Sequence, residues 1–201
     1  MCFAAGMCND YEQHVKYAEY LRALAALELA GSAEDEPALT VADDIRIGDT
    51  GPVLRARGNG VELVPMRFGF PPPRPKAGPV FNFKSDGRSF ADSRRCVVVL
   101  SGFFEFTGTK YPKTKHRFAL VDSAVMGIAG LWSEDKSGAL SFTMLTTEPG
   151  PDVAPIHDRQ VCVLRPEEWA AWLFLTRPEP ELLKPLPRGS LTVDVVREGK
   201  T

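Results

Sequence analysis

Short apolar segments, each bounded by residues that favour turns, dominate the chain between residues 61 and 164. Strands joined by short turns pair mostly as antiparallel neighbours. The pattern therefore predicts an α+β protein, with a mostly antiparallel β-sheet or pseudo-barrel and a few flanking helices. Eight segments have the length and composition of β-strands: 61–68, 79–84, 96–100, 103–106, 117–121, 125–132, 141–147 and 160–164.

Two helices are predicted outside this region. Apolar residues at steps of three and four over residues 11–29 indicate the first, with Asn9 or Asp10 as its N-cap and Gln13 completing a capping-box spacing. Its apolar stripe is Tyr11, Val15, Ala18, Leu21, Ala25 and Leu29. Residues 166–173 begin with a proline and two glutamates, which favour a helix start, and continue with two tryptophans and a leucine as a buried stripe.

The size and the apolar content fit one domain. A chain of 201 residues that is 44% hydrophobic can build a single core. It contains no apolar run of the roughly 18 residues that a membrane helix needs and no signal-peptide pattern, so we expect a soluble, cytoplasmic protein without a membrane partner. The four cysteines lack metal-ligand spacing, and we therefore expect neither a disulfide framework nor a zinc site nor any other cofactor.

Charge is distributed unevenly along the chain. The formal net charge is −2, but residues 67–117 carry eleven Lys or Arg against three acidic residues, a segment charge of +8. Such a basic segment in an otherwise acidic protein is typical of a local phosphate-binding face. A solvated basic surface without a ligand gives the same pattern.

The pair Met7-Cys8 suggests an unusual nucleophile. If translation starts at Met7 and this methionine is removed, Cys8 carries a free α-amine beside its thiol. The amine can condense with an aldehyde to a Schiff base, and the thiol can then close a stable ring. An internal Cys8 would be only a small core residue or an ordinary thiol.

Three further segments carry polar groups with possible roles in catalysis or binding. Asn82 leaves a strand close to Lys84 and Arg88, where the amide could orient a substrate and the cations could contact phosphates. Glu105 stands among phenylalanines, a setting that favours a general acid or base. His157 lies in a loop and could move protons. A turn, an exposed carboxylate and a solvated histidine are the simpler interpretations of these three segments.

Together, the segments follow an order that resembles the SOS response-associated peptidase family. The order is Met-Cys near the start, Val-Phe-Asn-Phe-Lys-Ser-Asp-Gly-Arg, Ser-Gly-Phe-Phe-Glu-Phe, Thr-Met-Leu-Thr-Thr and Ile-His-Asp-Arg. The resemblance extends over residues 7–174. It implies a domain at residues 7–201, preceded by an extension at residues 1–6 that is not native to the domain.

The resemblance also implies a function. Members of the family recognise abasic sites in single-stranded DNA and trap the sugar aldehyde as a thiazolidine on an N-terminal cysteine. Carried over to this chain, the catalytic residues are Cys8, Asn82, Glu105 and His157. The DNA contacts fall on Lys84, Arg88, Arg159 and Thr146, and Phe68 and Phe70 stand in for the tryptophans that wedge into the DNA stack in many members. We expect a monomer whose partner is single-stranded DNA with abasic sites.

Two other functions fit the same residues. In a thiol peptidase, His157 and Glu105 would activate the Cys8 side chain, and the free amine would not be needed. A non-catalytic module for single-stranded nucleic acid would use the basic segment and Phe68 or Phe70. Aldehyde capture, unlike these two functions, also depends on the mature start, for which three explanations are open: Met7 with its methionine removed, a self-cleaved Cys8, or a terminus at Cys2.

Overall fold

The computed structural model describes residues 9–26 and 41–200, which form two β-sheets and three short helices. The α+β prediction is confirmed. The strands are β1 (Asp10–Gln13), β2 (Ala42–Arg46), β3 (Thr50–Arg57), β4 (Gly60–Phe68), β5 (Asn82–Lys84), β6 (Arg95–Leu100), β7 (Gly102–Thr107), β8 (Thr114–Leu120), β9 (Met126–Glu134), β10 (Leu140–Thr147), β11 (Gln160–Val161), β12 (Val163–Leu164) and β13 (Leu191–Arg197). The helices are α1 (Tyr17–Ala26), α2 (Trp169–Phe174), which follows a 3₁₀ turn at Pro166–Glu168, and α3 (Glu179–Leu182).

Five strands of the larger sheet close into a barrel. Strand β4 pairs with β3, β3 with β6, β6 with β9 and β9 with β10, all antiparallel, and β10 returns to β4 in a parallel pairing. Strands β5 and β11 add to β10, and β12 adds to β9. Closure satisfies the backbone groups that an open sheet would leave at its edges.

The second sheet packs against the barrel through aromatic side chains. Its strand order is β13-β8-β7-β1-β2, and every pairing in it is antiparallel. Phe103 and Phe118 stack within this sheet with ring centroids 5.0 Å apart. Tyr11 makes an edge-to-face contact with Phe68, a residue of the barrel, with ring centroids 5.8 Å apart. Phe68 in turn stacks on Phe142 with ring centroids 5.0 Å apart. These rings are fully buried and form one core between the two sheets.

A second core lies beneath the helices. Trp169 and Trp172 of α2 are fully buried, as the helical stripe predicted, and the Trp172 indole N–H donates to the Cys96 carbonyl at 2.8 Å. Helix α1 adds Tyr20 and Leu24 to this core.

The prediction for the first helix was wrong in its start and in its buried face. Residues 10–13 form strand β1, and α1 begins at Tyr17, where the Glu19 carboxylate accepts the Lys16 backbone N–H at 3.0 Å. The apolar stripe that was counted from Tyr11 therefore does not match the buried face of α1, and its member Leu21 is exposed. Residues 27–40, which include the predicted end of this helix, lie outside the described residues.

A close approach between β9 and α2 requires a glycine. A Cβ atom at Gly127 would lie 2.5 Å from the Trp169 indole nitrogen and 2.5 Å from a methyl carbon of Val97. Both neighbours are fully buried, so neither can move without disturbing the second core.

Replacing Gly127 by alanine should therefore lower the free energy of unfolding by about 1–3 kcal/mol, the usual cost of forcing extra volume into a packed core. Urea denaturation measures this change. Gly78→Ala is the matched control, because a Cβ there would meet no atom within 4 Å and should leave stability almost unchanged. Equal midpoints for the two variants would contradict the packing argument.

A buried lysine joins three strands of the second sheet. Lys115 of β8 forms ion pairs with Asp10 of β1, at 3.1 Å, and with Asp44 of β2. Its ammonium also lies 3.5 Å from the centre of the Phe104 ring. Burial raises the pKa of the Asp10 carboxyl to about 6; Lys115 opposes this shift and the neighbouring Asp44 adds to it. The pKa of Asp44 is lowered, because hydrogen bonds and charge attraction, chiefly from Lys115, outweigh its own desolvation.

These shifts predict how stability depends on pH. Between about pH 4 and pH 6 the folded chain holds a proton on Asp10 that the unfolded chain has lost, so this group makes stability fall as pH rises. The pKa of Asp44 is lowered instead, so its contribution has the opposite sign and is confined to the acid end of the window, because above about pH 5 this carboxyl is ionised in both states. The unfolding free energy of the native chain should thus drop by up to about 2–3 kcal/mol relative to Asp10→Asn over this range. Parallel pH profiles for the two proteins in urea melts would refute the assignment.

Candidate active site

Glu105 and His157 come together from distant parts of the chain. Glu105 lies in β7, is completely buried and points to the same side of the strand as Phe103. His157 follows a turn after β10, where its backbone N–H donates to the Val153 carbonyl at 3.0 Å. The His157 Nε2 and a Glu105 carboxylate oxygen are 3.9 Å apart, and only 9% of the imidazole is exposed. The two groups thus form a close pair of a possible acid and base in a site that is largely closed to solvent.

The other imidazole nitrogen fixes the orientation of the ring. His157 Nδ1 lies 3.1 Å from the Arg159 backbone nitrogen, 3.0 Å from the Arg159 carbonyl and 3.2 Å from the Asp158 carboxylate. If Nδ1 accepts the Arg159 N–H, the neutral ring carries its proton on Nε2, toward Glu105. If Nδ1 donates to the carbonyl, Nε2 offers a lone pair instead. The same ring can therefore act as an acid or a base toward a group beside Glu105.

A cleft of about 490 Å³ reaches the pair at His157. His157 and Phe106 line it, together with Asn9 and Asp10 at the start of the described chain. Cys8 and Cys2 lie outside the described residues. Asn9, which follows Cys8 in the sequence, is part of the cleft wall that contains His157.

The two cysteines of the described chain are poor nucleophiles. Cys96 and Cys162 are fully buried, and burial raises the pKa of both thiols, to about 12 for Cys162. A thiolate at either position would be a rare species near neutral pH.

Arg159 is held by contacts within the protein. Its guanidinium donates to the Asp86 carboxylate at 2.6 Å and to the carbonyl and hydroxyl oxygens of Thr146 at 3.0 and 3.3 Å. The hydrogen bond from Arg159 lowers the pKa of Asp86. The prediction that Thr146 contacts DNA was wrong for this structure, because Thr146 is fully buried on β10. Its observed role is to position Arg159.

Strand β5 places Asn82 and Lys84 along the same part of β10. In the parallel β5–β10 register, Asn82 lies opposite Met144, and Lys84 opposite Thr146. Asn82 is half-buried, with its side-chain oxygen inside the protein, whereas Lys84 is exposed. Asn82, Lys84, Arg159, His157 and Glu105 thus form a connected series around one end of β10.

Arg88 lies outside this series of residues. It ends the turn after β5, where its N–H donates to the Ser85 carbonyl at 3.1 Å, and it lines a separate cleft of about 260 Å³ with Glu148, Glu179 and Lys184. Its contact with DNA stays a prediction.

The prediction that Phe68 stacks on DNA was wrong for this structure. Phe68 is fully buried, because the alternation of β4 turns it into the core between the sheets. Phe70, just beyond the strand, is half-buried with its ring centroid 6.2 Å from that of Phe83, and its role in DNA binding stays a prediction.

Sequence reasoning missed several residues of the cleft. Tyr111 and Lys113 lie in the loop between β7 and β8, and Arg46 and Arg197 lie on β2 and β13. Strands β2 and β13 were not predicted. The alternating Leu-Thr-Val-Asp-Val pattern from residue 191 was a usable signal for β13.

Metal-binding clusters and membrane-spanning helices are both absent from the described ranges. No group of three or more His, Cys, Asp or Glu side chains among residues 9–26 and 41–200 is arranged to hold a metal ion. No helix in these ranges is both long and apolar enough to cross a membrane.

Solved structures share the fold. The chain superimposes on an X-ray structure of a Bordetella bronchiseptica protein with a TM-score of 0.70 and 24% identity, over 94% of this chain and 100% of that one. A Bacteroides thetaiotaomicron protein gives a TM-score of 0.72 and 18% identity, over 94% and 92% of the two chains.

Curated relatives match part of the sequence. The abasic site processing protein YMR114C of Saccharomyces cerevisiae is 32% identical over 85 residues, which cover 41% of this chain and 23% of the yeast protein. The abasic site processing protein YoqW of Bacillus subtilis is 32% identical over 100 residues, 47% of this chain and 44% of that protein. The match thus spans less than half the length of either relative.

One family model covers nearly the whole chain. The model described as SOS response associated peptidase (SRAP) matches residues 7–199. It includes the cleft, the Glu105–His157 pair and both sheets. The chain therefore belongs to the SOS response associated peptidase family.

Proposed function

We propose that this protein recognises abasic sites in single-stranded DNA and captures the sugar aldehyde covalently on Cys8. The observation that carries the proposal is the Glu105–His157 pair beside a cleft whose wall includes Asn9, the residue after Cys8. Family membership and the relatives named abasic site processing proteins support the choice of substrate.

The chemistry requires Cys8 to be the N-terminal residue, either after initiation at Met7 and loss of this methionine or after cleavage before Cys8. The amine of Cys8 adds to the aldehyde carbon of the open-chain sugar, and loss of one water gives a Schiff base. The thiol of Cys8 then adds to the same carbon, and its proton moves to the nitrogen, which closes the thiazolidine ring.

Glu105 and His157 would supply the proton transfers. As the sugar opens, Glu105 donates a proton to the ring oxygen and the anomeric hydroxyl gives up its proton to water, which leaves the aldehyde. The pair then accepts the amine proton and protonates the leaving hydroxyl. Nε2 and the carboxylate are 3.9 Å apart, so a closer approach of the ring or one bridging water would let either group reload the other. Asn82, fixed along β10, would hold the substrate in attack geometry through its amide.

The phosphates beside the missing base would bind the cations near the end of β10. Lys84 is exposed there and can contact phosphate directly. Arg159 is already paired with Asp86 at 2.6 Å, so a phosphate must replace that carboxylate. Arg88 would extend the contact along the strand.

We predict a covalent adduct when protein expressed from Met7 meets an oligonucleotide with one abasic site. Intact-mass spectrometry should show a protein that starts at Cys8 and gains the oligonucleotide mass less one water. Cys8→Ala should give no adduct that survives without reduction, because it keeps the α-amine but has no thiol to close the ring. Cys8→Ser should give only a Schiff base that borohydride traps, because its hydroxyl is a weaker ring-closing nucleophile than a thiolate.

Acetylation of the α-amine separates the proposal from a thiol peptidase. The acetylated protein keeps its thiol but should lose the adduct. A protein that starts at Cys8 and forms no adduct would refute aldehyde capture, and peptide cleavage by the acetylated form would favour the peptidase.

We further predict that Glu105→Gln and His157→Gln each slow single-turnover crosslinking about 10²- to 10⁴-fold, the usual contribution of a positioned acid or base. Binding of a lesion-free strand should change little, because both groups act on protons. His14→Gln is the matched control, since His14 is 41% exposed and pairs with Asp43 instead. Crosslinking rates within twofold of the native rate would exclude a proton-transfer role.

A further inference from the structure

Tyr111 is the one exposed aromatic side chain in the described ranges, with 84% of its surface open to solvent. An isolated exposed aromatic residue requires no special explanation. Tyr111, however, lines the same cleft as His157, at the end formed by the loop between β7 and β8. A flat apolar ring is thus exposed at the opening of the site that the proposed function uses.

The loop that carries Tyr111 is fastened on its far side. The carbonyl of Pro112, the next residue, accepts the Lys200 backbone N–H at 3.0 Å. The Lys113 carbonyl accepts two hydrogen bonds from the Arg197 guanidinium, at 3.2 and 3.4 Å. The backbone beside Tyr111 is therefore positioned before any ligand arrives, which reduces the entropy lost when its ring is covered.

Three cations line the same cleft as the ring: Arg46, Lys113 and Arg197. The Arg46 side chain is 66% exposed and pairs with Asp44 at 3.2 Å. Asp10, an acid that also lines the cleft, is paired with Lys115 at 3.1 Å. The opening of the cleft therefore combines a stacking surface with positive charge.

That combination fits a single-stranded nucleic acid better than a peptide or a small metabolite. A strand offers a base that can stack on an aromatic ring and phosphates spaced along a flexible backbone. Phe68 is buried and Phe70 is half-buried, whereas the Tyr111 ring is exposed.

We infer that Tyr111 is the platform on which a base of the bound DNA strand stacks, while Lys113, Arg197 and Arg46 hold the adjacent phosphates. This inference rests on the proposed function, because the strand so held leads the lesion toward His157. It assigns a DNA-binding role to a loop outside the residues that the family resemblance identified.

The test measures equilibrium binding of a fluorescent oligothymidylate without a lesion to Cys8→Ala protein, in which no crosslink can form. In this background Tyr111→Ala should weaken binding about 5- to 100-fold without changing the salt slope, since stacking on one base is lost. Tyr111→Phe should retain the affinity. Lys113→Ala should flatten the slope of log affinity against log salt by about 0.7, the expected value for one phosphate contact to a single strand.

Val121→Ala and Lys136→Ala are the matched controls, because both side chains are exposed and neither lines the cleft. Affinity within twofold for Tyr111→Ala, or no measurable binding by the Cys8→Ala parent, would overturn the inference.

The two proposals fail in different ways. If the Cys8 protein forms the crosslink but Tyr111→Ala binds normally, the aldehyde capture stands and the stacking platform is wrong. If Tyr111→Ala loses affinity as expected but no crosslink forms with an abasic strand, the platform stands and the covalent function is wrong.

Discussion

The pairing of β10 with four other strands is the constraint on which the rest of the structure depends. Its antiparallel pairing with β9 and its parallel pairing with β4 close the barrel. Its remaining backbone groups hold β5 and β11, which bring Asn82 and Lys84 to one side of its end and Arg159 to the other. A strand committed on both edges cannot shift its register without breaking several ladders at once. The barrel is therefore also the frame of the site.

Much of this fold was predictable from local patterns. The eight predicted strands correspond to eight stretches of observed sheet, with the last divided into β11 and β12, because each has a clear apolar run between turn residues. The tryptophans of α2 were predictable for the same reason. Strands β1 to β3 and β13 were missed. The polar segment Asp10–Gln13 becomes a strand because Lys115 and Arg117 of β8 neutralise its two acids, at 3.1 and 2.6 Å, and both partners lie more than a hundred residues away.

The residue types of the candidate site were predictable from the sequence, but the directions in which their side chains point were not. Glu105 and His157 are separated by 52 positions in the sequence, and only the fold shows them 3.9 Å apart. Phe68 and Thr146 lie on strands whose side chains alternate between the two faces of the sheet, and both point to the buried face. The sequence alone does not say which face is buried. Arg159 was predicted to contact DNA, and in the structure its guanidinium binds the Asp86 carboxylate. Tyr111 escaped notice because an isolated aromatic residue in a polar loop carries no periodic signal.

The hydrogen bonds that Arg197 and Lys200 make to the loop between β7 and β8 join the last strand to the mouth of the cleft. The edge residues Val193, Val195 and Val196 are exposed, so this end of β13 adds little to either core. A cut or an insertion within residues 197–200 would therefore release the loop while leaving the strand pairings of the barrel intact.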